Sequence, residues 1–304
     1  MDNQIDGKDE LKKRNWSGWY DKHYKTLLAI PILIMILSLA YLGYFYSQNQ
    51  DIMLKDSSLS GGSTITLNGD IDSVSLESFL SSKFPDLSIR KLTDITTGRT
   101  NALILETSAP PDAIKPEIEK FLGYKLTDEN SSFEFTGPSL SESFYKQLLI
   151  ALLISFVLMS LVVFFSFKTF VPSLAVIFAA FADIVMPLAL IDFLGIRISA
   201  AGISAFLMLI GYSVDTDILL TSRALRKKGG ALNKRIFGAF KTGSFMTITA
   251  LIAVLPAFFI VSNLPDSFRQ IFFILALGLF ADLINTWLTN ASIIKWYCTK
   301  RRIE

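Results

Sequence analysis

Histidine and cysteine are almost absent from this 304-residue chain, which has one of each, His23 and Cys298. A single cysteine excludes an internal disulfide and any thiolate metal site. A single histidine excludes zincin chemistry and the Ser-His-Asp and Cys-His arrangements of nucleophilic hydrolases. Charge is scarce too: 18% of residues are charged and 51% are hydrophobic, a balance too apolar for a soluble domain. No small-residue cleavage site follows the first apolar run, so that run reads as a retained helix rather than a removed signal. No metal, no cofactor and no enzymatic activity are expected.

What is abundant is long apolar sequence. Runs of about 18 or more apolar residues mark six spans, near 27–46, 147–167, 171–191, 198–221, 243–261 and 270–294. The expected organisation is a polytopic α-helical membrane protein with six transmembrane helices in a 1+5 layout. A cytoplasmic segment 1–26 precedes transmembrane helix 1 at 27–46. An extracytoplasmic α+β domain at 47–146, a five-helix bundle at 147–294 and a cytoplasmic tail at 295–304 follow.

Lysine and arginine set the orientation. With both termini cytoplasmic, the inner segments carry 18 of the 29 basic residues. The two short outer loops then carry only Arg197 and Arg269. Long domains translocate largely regardless of charge, so the short loops decide. The expected location is the cell membrane, multi-pass, with both termini inside.

The polar segment reads as βαββαβ, the order of a ferredoxin-like α+β domain. Strands are expected at GSTITLN (62–68), LSIRKLTDIT (87–96), TNALILETS (100–108) and SSFEFTG (131–137), with a hairpin turn at TGR. Helices are expected at SVSLESFLSSKF (73–84), capped by Ser73, and at PPDAIKPEIEKFLGY (110–124), with proline early. That fold hosts many functions and specifies none. With no catalytic-looking cluster, it reads as a binding or gating module.

Four carboxylates fall inside spans: Asp183, Asp215, Asp217 and Asp282. Each costs roughly 2.5–3.5 kcal/mol at a helix centre and should face protein or a water-filled cavity. The bland alternative is a protonated side chain that merely bonds a neighbouring helix. Asp215 and Asp217 lie about 200° apart around their helix and so cannot face one partner. Asp215 reads as the inward candidate for protonation, and Asp217, nearer the headgroups, as structural. In the last span Gly278, Asp282, Asn285, Thr286 and Thr289 share one stripe, expected to pack on span four. Lys241, at the inner edge of span five, is a candidate counter-ion for Asp215, or simply a snorkelling boundary lysine.

The stretch GYSVDTDILLTSR (211–223), with Gly211, Tyr212, Ser213 and Arg223 around the acids, resembles the SecD/SecF protein-export family of the RND superfamily. The 1+5 layout with a compact external domain is similar to its smaller, SecF-type branch. So are GGS (61–63) and GPS (137–139), while GLFADLINTWLTN and AFADIVMPLAL resemble archaeal members. The resemblance implies a SecD partner, a Sec translocon of SecY/SecE type, an exported polypeptide as cargo and a proton-relay role for intramembrane Asp. Asp215-Thr216-Asp217 departs from the bacterial Asn-Asp-Thr, and Lys241 stands where bacterial members tend to have arginine.

Two alternatives stay open. An RND-type small-molecule transporter subunit would also combine intramembrane Asp with an external domain. An intramembrane aspartyl protease needs facing aspartates, but its Gly-x-Gly-Asp pattern is missing because Ser213 stands two residues before Asp215. The basic stretch RALRKKGGALNKR (223–235) joins two spans, so inside-loop topology and contact with anionic membrane lipid explain it better than nucleic acid. Trp16, Trp19, Tyr20, Trp296 and Tyr297 fit an inner aromatic belt.

Overall fold

The computed structural model describes residues 2–93, 100–226, 230–260 and 266–303. The expected TGR turn, the end of the 87–96 strand, positions 227–229 of the basic loop and the Trp16 side chain lie outside what is described.

Among the described residues, six helices are long and apolar enough to cross a membrane. The first, α1 (Asp2–Asn49), holds the leading apolar run within one continuous helix. After the short helix α2 (Ser57–Ser60) come β1 (Gly62–Asn68), α3 (Ser73–Leu80), β2 (Ser88–Thr93), β3 (Thr100–Thr107), α4 (Pro111–Leu122) and β4 (Ser131–Thr136). The bundle then consists of α5 (Pro138–Phe167), α6 (Phe170–Phe193), α7 (Ala200–Leu225), α8 (Leu232–Ile260) and α9 (Asp266–Ile284). The last helix continues through a π-helical turn, Asn285–Asn290, into α10 (Ala291–Lys300).

The four strands form one antiparallel sheet in the order β2-β3-β1-β4, the ferredoxin-like arrangement that the βαββαβ order implies. Alternation decides the faces. Ile65 pairs with Leu105 and Leu67 with Leu103, and all four are buried against Leu76 and Leu80 of α3 and Ile114 and Ile118 of α4. Each fully buried Leu or Ile contributes about 1.5–3 kcal/mol. The cap of α3 differs from expectation. Asp72, not Ser73, accepts the Val74 N–H, and the helix stops at Leu80, because a carboxylate one residue earlier is already placed to take the free first-turn donor. Gly62 has φ 127°, and a Cβ there would collide with the Thr107 carbonyl, so only glycine lets β1 start this close to β3.

In the bundle, α6 and α7 are the most enclosed, whereas α5 shows Leu153, Val157 and Leu161 on its outer surface. Helices α7 and α9 approach closely because Gly278 has no side chain, and a Cβ there would enter Leu209. The π turn is wider than an α turn, with the Ala291 N–H bonded to the Thr286 carbonyl five residues back. It brings Asn285, Thr286, Trp287, Thr289 and Asn290 all inside.

Sheet domain and bundle join through the chain after α1 and the loop between α6 and α7. Ile198 N–H donates to the Leu54 carbonyl at 2.6 Å and Asp56 N–H to the Ile198 carbonyl at 3.1 Å. On the sheet face opposite the core, Glu106 of β3 is buried and bonds both Arg90 and Arg197. Beside this contact is a cavity of about 410 Å³ that Lys55, Asp86, Glu106 and Arg197 help line. From there Gln270 of α9 donates to the Arg197 carbonyl and accepts from Ser199, the residue that caps α7.

Candidate functional site

Three of the four membrane carboxylates meet in the centre of the bundle. Asp183 comes from α6, Asp217 from α7 and Asp282 from α9, and each is at most 1% exposed. Asp183 accepts from the Ser213 hydroxyl and, at 2.7 Å, from the Asn285 amide. Asp282 accepts from Thr216 and Thr286, each at 2.9 Å, and from Thr247 of α8 at 3.1 Å. Asp217 accepts from Thr286 at 3.0 Å and from Asn290 at 2.7 Å.

Local sequence explains the convergence. Ser213, Thr216 and Asp217 lie on one side of α7, where Thr216 and Asp217 meet Asp282 and Thr286 of the last span and Ser213 meets Asp183 of α6. The π turn then presents Asn285 to Asp183, Asn290 to Asp217, and Thr286 to both Asp217 and Asp282. Among the described residues no lysine or arginine makes a salt bridge with any of the three carboxylates. A buried charge without a cation is costly in an apolar setting.

A hydroxyl has a single hydrogen, yet Thr286 lies within bonding distance of both Asp217 and Asp282. It can donate to only one. The chain closes when the other acid is protonated and donates to Thr286. The arrangement is therefore suited to holding protons and to passing one between α7 and α9. All three carboxylates are closed off from the surface.

The expected orientations of Asp215 and Asp217 are reversed. Asp215 is on the exposed side of α7, while Asp217 faces the last span. Helix geometry separates the two acids as expected, but the buried side of α7 is the one with Ser213 and Thr216. Lys241 is exposed on α8, well inside a helix that begins at Leu232, and forms no salt bridge with Asp215. Of the motif residues, Gly211 is exposed, Tyr212 donates to the Met246 carbonyl at 2.9 Å, and Arg223 donates to Gly238 and Thr242. Thr216, Thr247 and Asn290 were not singled out from sequence. The repeat of hydroxyls at 213, 216 and 221 on α7 was the available signal.

A bundle of six apolar helices with an inserted four-stranded sheet domain and a buried acid chain defines a polytopic membrane protein built around intramembrane carboxylates. Residues 118–300 match the family model for the protein-export membrane protein SecD/SecF, C-terminal. The chain is 37% identical to the protein-export membrane protein SecF of Methanothermobacter thermautotrophicus, over 92% of this chain and 94% of that one. It is 34% identical to the SecF of Methanocaldococcus jannaschii, over 93% of this chain and 99% of that one. The chain belongs to the SecD/SecF family of protein-export membrane proteins. Its fold is similar to that of SecDF from Thermus thermophilus, described as a translocon-associated membrane protein. That match has a TM-score of 0.74 at 18% identity and covers 91% of this chain but 38% of the SecDF chain.

Proposed function

We propose that this chain is the SecF-like half of a SecD/SecF-type complex that assists Sec-dependent export of polypeptides and couples it to a proton gradient. The observation that carries this reading is the buried cluster of Asp183, Asp282 and Asp217, in which Thr286 lies between Asp282 and Asp217 while Ser213 and Thr216 of α7 bond Asp183 and Asp282. Protonation there decides which hydroxyl bonds which helix. Proton entry or loss would therefore change how α6, α7 and α9 hold together. The sheet domain is tied to the outer ends of α7 and α9 through Arg197, Ser199 and Gln270, which gives such a change a route to the external side.

Asp215 supports the partner assignment. An exposed carboxylate costs roughly 2.5–3.5 kcal/mol at the centre of a span, and Asp215 shares the exposed side of α7 with Met208 and Gly211. A SecD-like subunit covering this face would remove the acid from lipid. Residues 47–146 form the extracytoplasmic domain, with both termini in the cytoplasm and the chain in the cell membrane, as the basic residues favour. The burial of the three acids and the charged lining of the junction cavity favour this reading over an intramembrane aspartyl protease or an RND-type small-molecule transporter subunit.

The test combines co-purification and export. Wild-type chain should retain a SecD-like subunit and translocon components, and Asp215→Leu should weaken that retention. Asp217→Asn should assemble normally yet lose gradient-stimulated export. Full export by Asp217→Asn, or failure of the wild type to retain any SecD-like subunit, overturns the proposal.

A further inference from the structure

The last span carries a polar feature beyond the three acids. Asn285, Thr289, Ser292 and Lys295 recur every three or four residues and are all buried, which places them on one inward face. Among the described residues Thr289 Oγ1, the Oδ1 atoms of Asn285 and Asn290, and Asp217 Oδ2 have no hydrogen-bond partner. Each buried polar atom left unsatisfied costs about 1–3 kcal/mol. In a span, four such atoms on neighbouring turns need an internal partner. Water is the group small enough to serve all of them, since it bonds two to four polar atoms at once.

Away from the sheet domain the stripe continues. Ser292 lies against the Tyr20 hydroxyl. The Lys295 ammonium sits 4.2 Å from the centre of the Tyr20 ring and 5.4 Å from that of Tyr24. It also bonds Asp21 and, at 2.7 Å, Asn233. This buried lysine closes the space between α1, α8 and α10 at the end of the bundle that carries both chain termini. Arg223, the nearest basic residue on α7, is turned instead toward α8.

The geometry points to a water-binding path along the last helix, from Asp217 and Asn285 to Lys295, closed at the termini end by the Lys295–Asp21 pair. Its ligands are water and the protons that water carries. In the proton-coupled reading above, the Asp217 carboxyl would release its proton to the first water and become carboxylate, and the hydronium would leave past Lys295. The groups facing the path are Asp183, Asp217 and Asp282 at one end and Tyr20, Asp21, Tyr24 and Lys295 at the other. Among the described residues, Asn285, Thr289, Asn290 and Ser292, all neutral, lie between them.

Single cysteines test the path in full-length protein carrying Cys298→Ala. Thr289→Cys and Ser292→Cys should react with a charged, membrane-impermeant thiol reagent added on the termini side. Their rates should exceed that of Ala291→Cys, on the apolar side of the helix, by about tenfold, since thiol reactivity follows aqueous access. Lys295→Met should speed reaction at Ser292→Cys further. The exposed Thr299→Cys reports that reagent reaches that end, and gel filtration reports that each variant is folded. Equally slow reaction at 289, 291 and 292, or reaction only from the sheet-domain side, overturns the path. Labelling is read without export or a gradient, so a normal Asp217→Asn in the export test would remove proton coupling and leave a labelled path standing.

Discussion

Replacing Asp217 and Asp215 in parallel separates a buried acid from an exposed one two residues away. Asp217→Leu removes the acceptor for Thr286 and for Asn290. Thr286 keeps Asp282 as an alternative acceptor at 2.9 Å, whereas Asn290 retains only Thr221 at 3.4 Å. One buried donor is therefore left nearly orphaned and one is partly compensated, for a loss of about 2–4 kcal/mol. Asp217→Asn keeps an acceptor oxygen in the same place and should cost about 1 kcal/mol or less. Asp215→Leu breaks no hydrogen bond recorded among the described residues, and should change the stability of the purified chain by no more than about 0.5 kcal/mol. Cys298, the only cysteine, is buried, so thermal unfolding in detergent is readable from its reaction with a thiol dye. The predicted order of midpoints is wild type and Asp215→Leu highest, Asp217→Asn slightly lower, and Asp217→Leu well below. Equal midpoints for the two leucine variants would refute the orientation of α7, and an asparagine as harmful as leucine would refute the hydrogen-bond account.

Three further outcomes follow from other parts of the molecule. Burial, and next to it the Glu106 charge, outweigh the Ser58 bonds and Arg90 and hold the Asp56 carboxyl up at about 6 from its ordinary value of 3.8. Because the folded value is the higher one, the junction is least penalised at low pH and loses up to about 3 kcal/mol as pH rises from about 4 through 6. Amide exchange of residues 54–58 should quicken over that range, and Asp56→Asn should flatten the response. Gly62→Ala should destabilise the sheet domain by more than about 1 kcal/mol, from positive φ and the Thr107 carbonyl together, measured by limited proteolysis of residues 47–146. Gly278→Val should force α7 from α9 at about 1–3 kcal/mol, lowering the Cys298-dye midpoint, while Gly211→Ala on the exposed side should leave it unchanged.

Much of the architecture is legible in the sequence because hydrophobic length and alternation are local signals. Six apolar runs give six long helices, and Ile65, Leu67, Leu103 and Leu105 announce the buried sheet face. Of the expected stripe, Gly278, Asp282 and Thr286 do pack on α7, whereas Asn285 turns to Asp183 and Met186 of α6. What sequence could not supply was the phase of α7. Helical spacing shows that Asp215 and Asp217 diverge, but both faces of a membrane helix are apolar, so the usual inside–outside contrast is missing. The decisive signal was weaker: hydroxyls at Ser213, Thr216 and Thr221 on the side of Asp217, against Met208 and Gly211 on the side of Asp215. The π turn was also hidden, since nothing in NTWLTN marks a five-residue register. The same holds for Glu106–Arg197 and Ser199–Gln270, pairs far apart in the chain that only the folded junction brings together.

Export into sealed membrane vesicles, with and without an imposed proton gradient, tests the central claim most directly. The account predicts that wild-type protein is stimulated by the gradient. Asp217→Asn and Asp282→Asn should fold, assemble and lose that stimulation, while Asp215→Asn should keep it whenever its complex is intact. Stimulation retained in both buried-acid variants, or lost only in Asp215→Asn, would contradict a proton-handling role for the Asp183–Asp282–Asp217 chain.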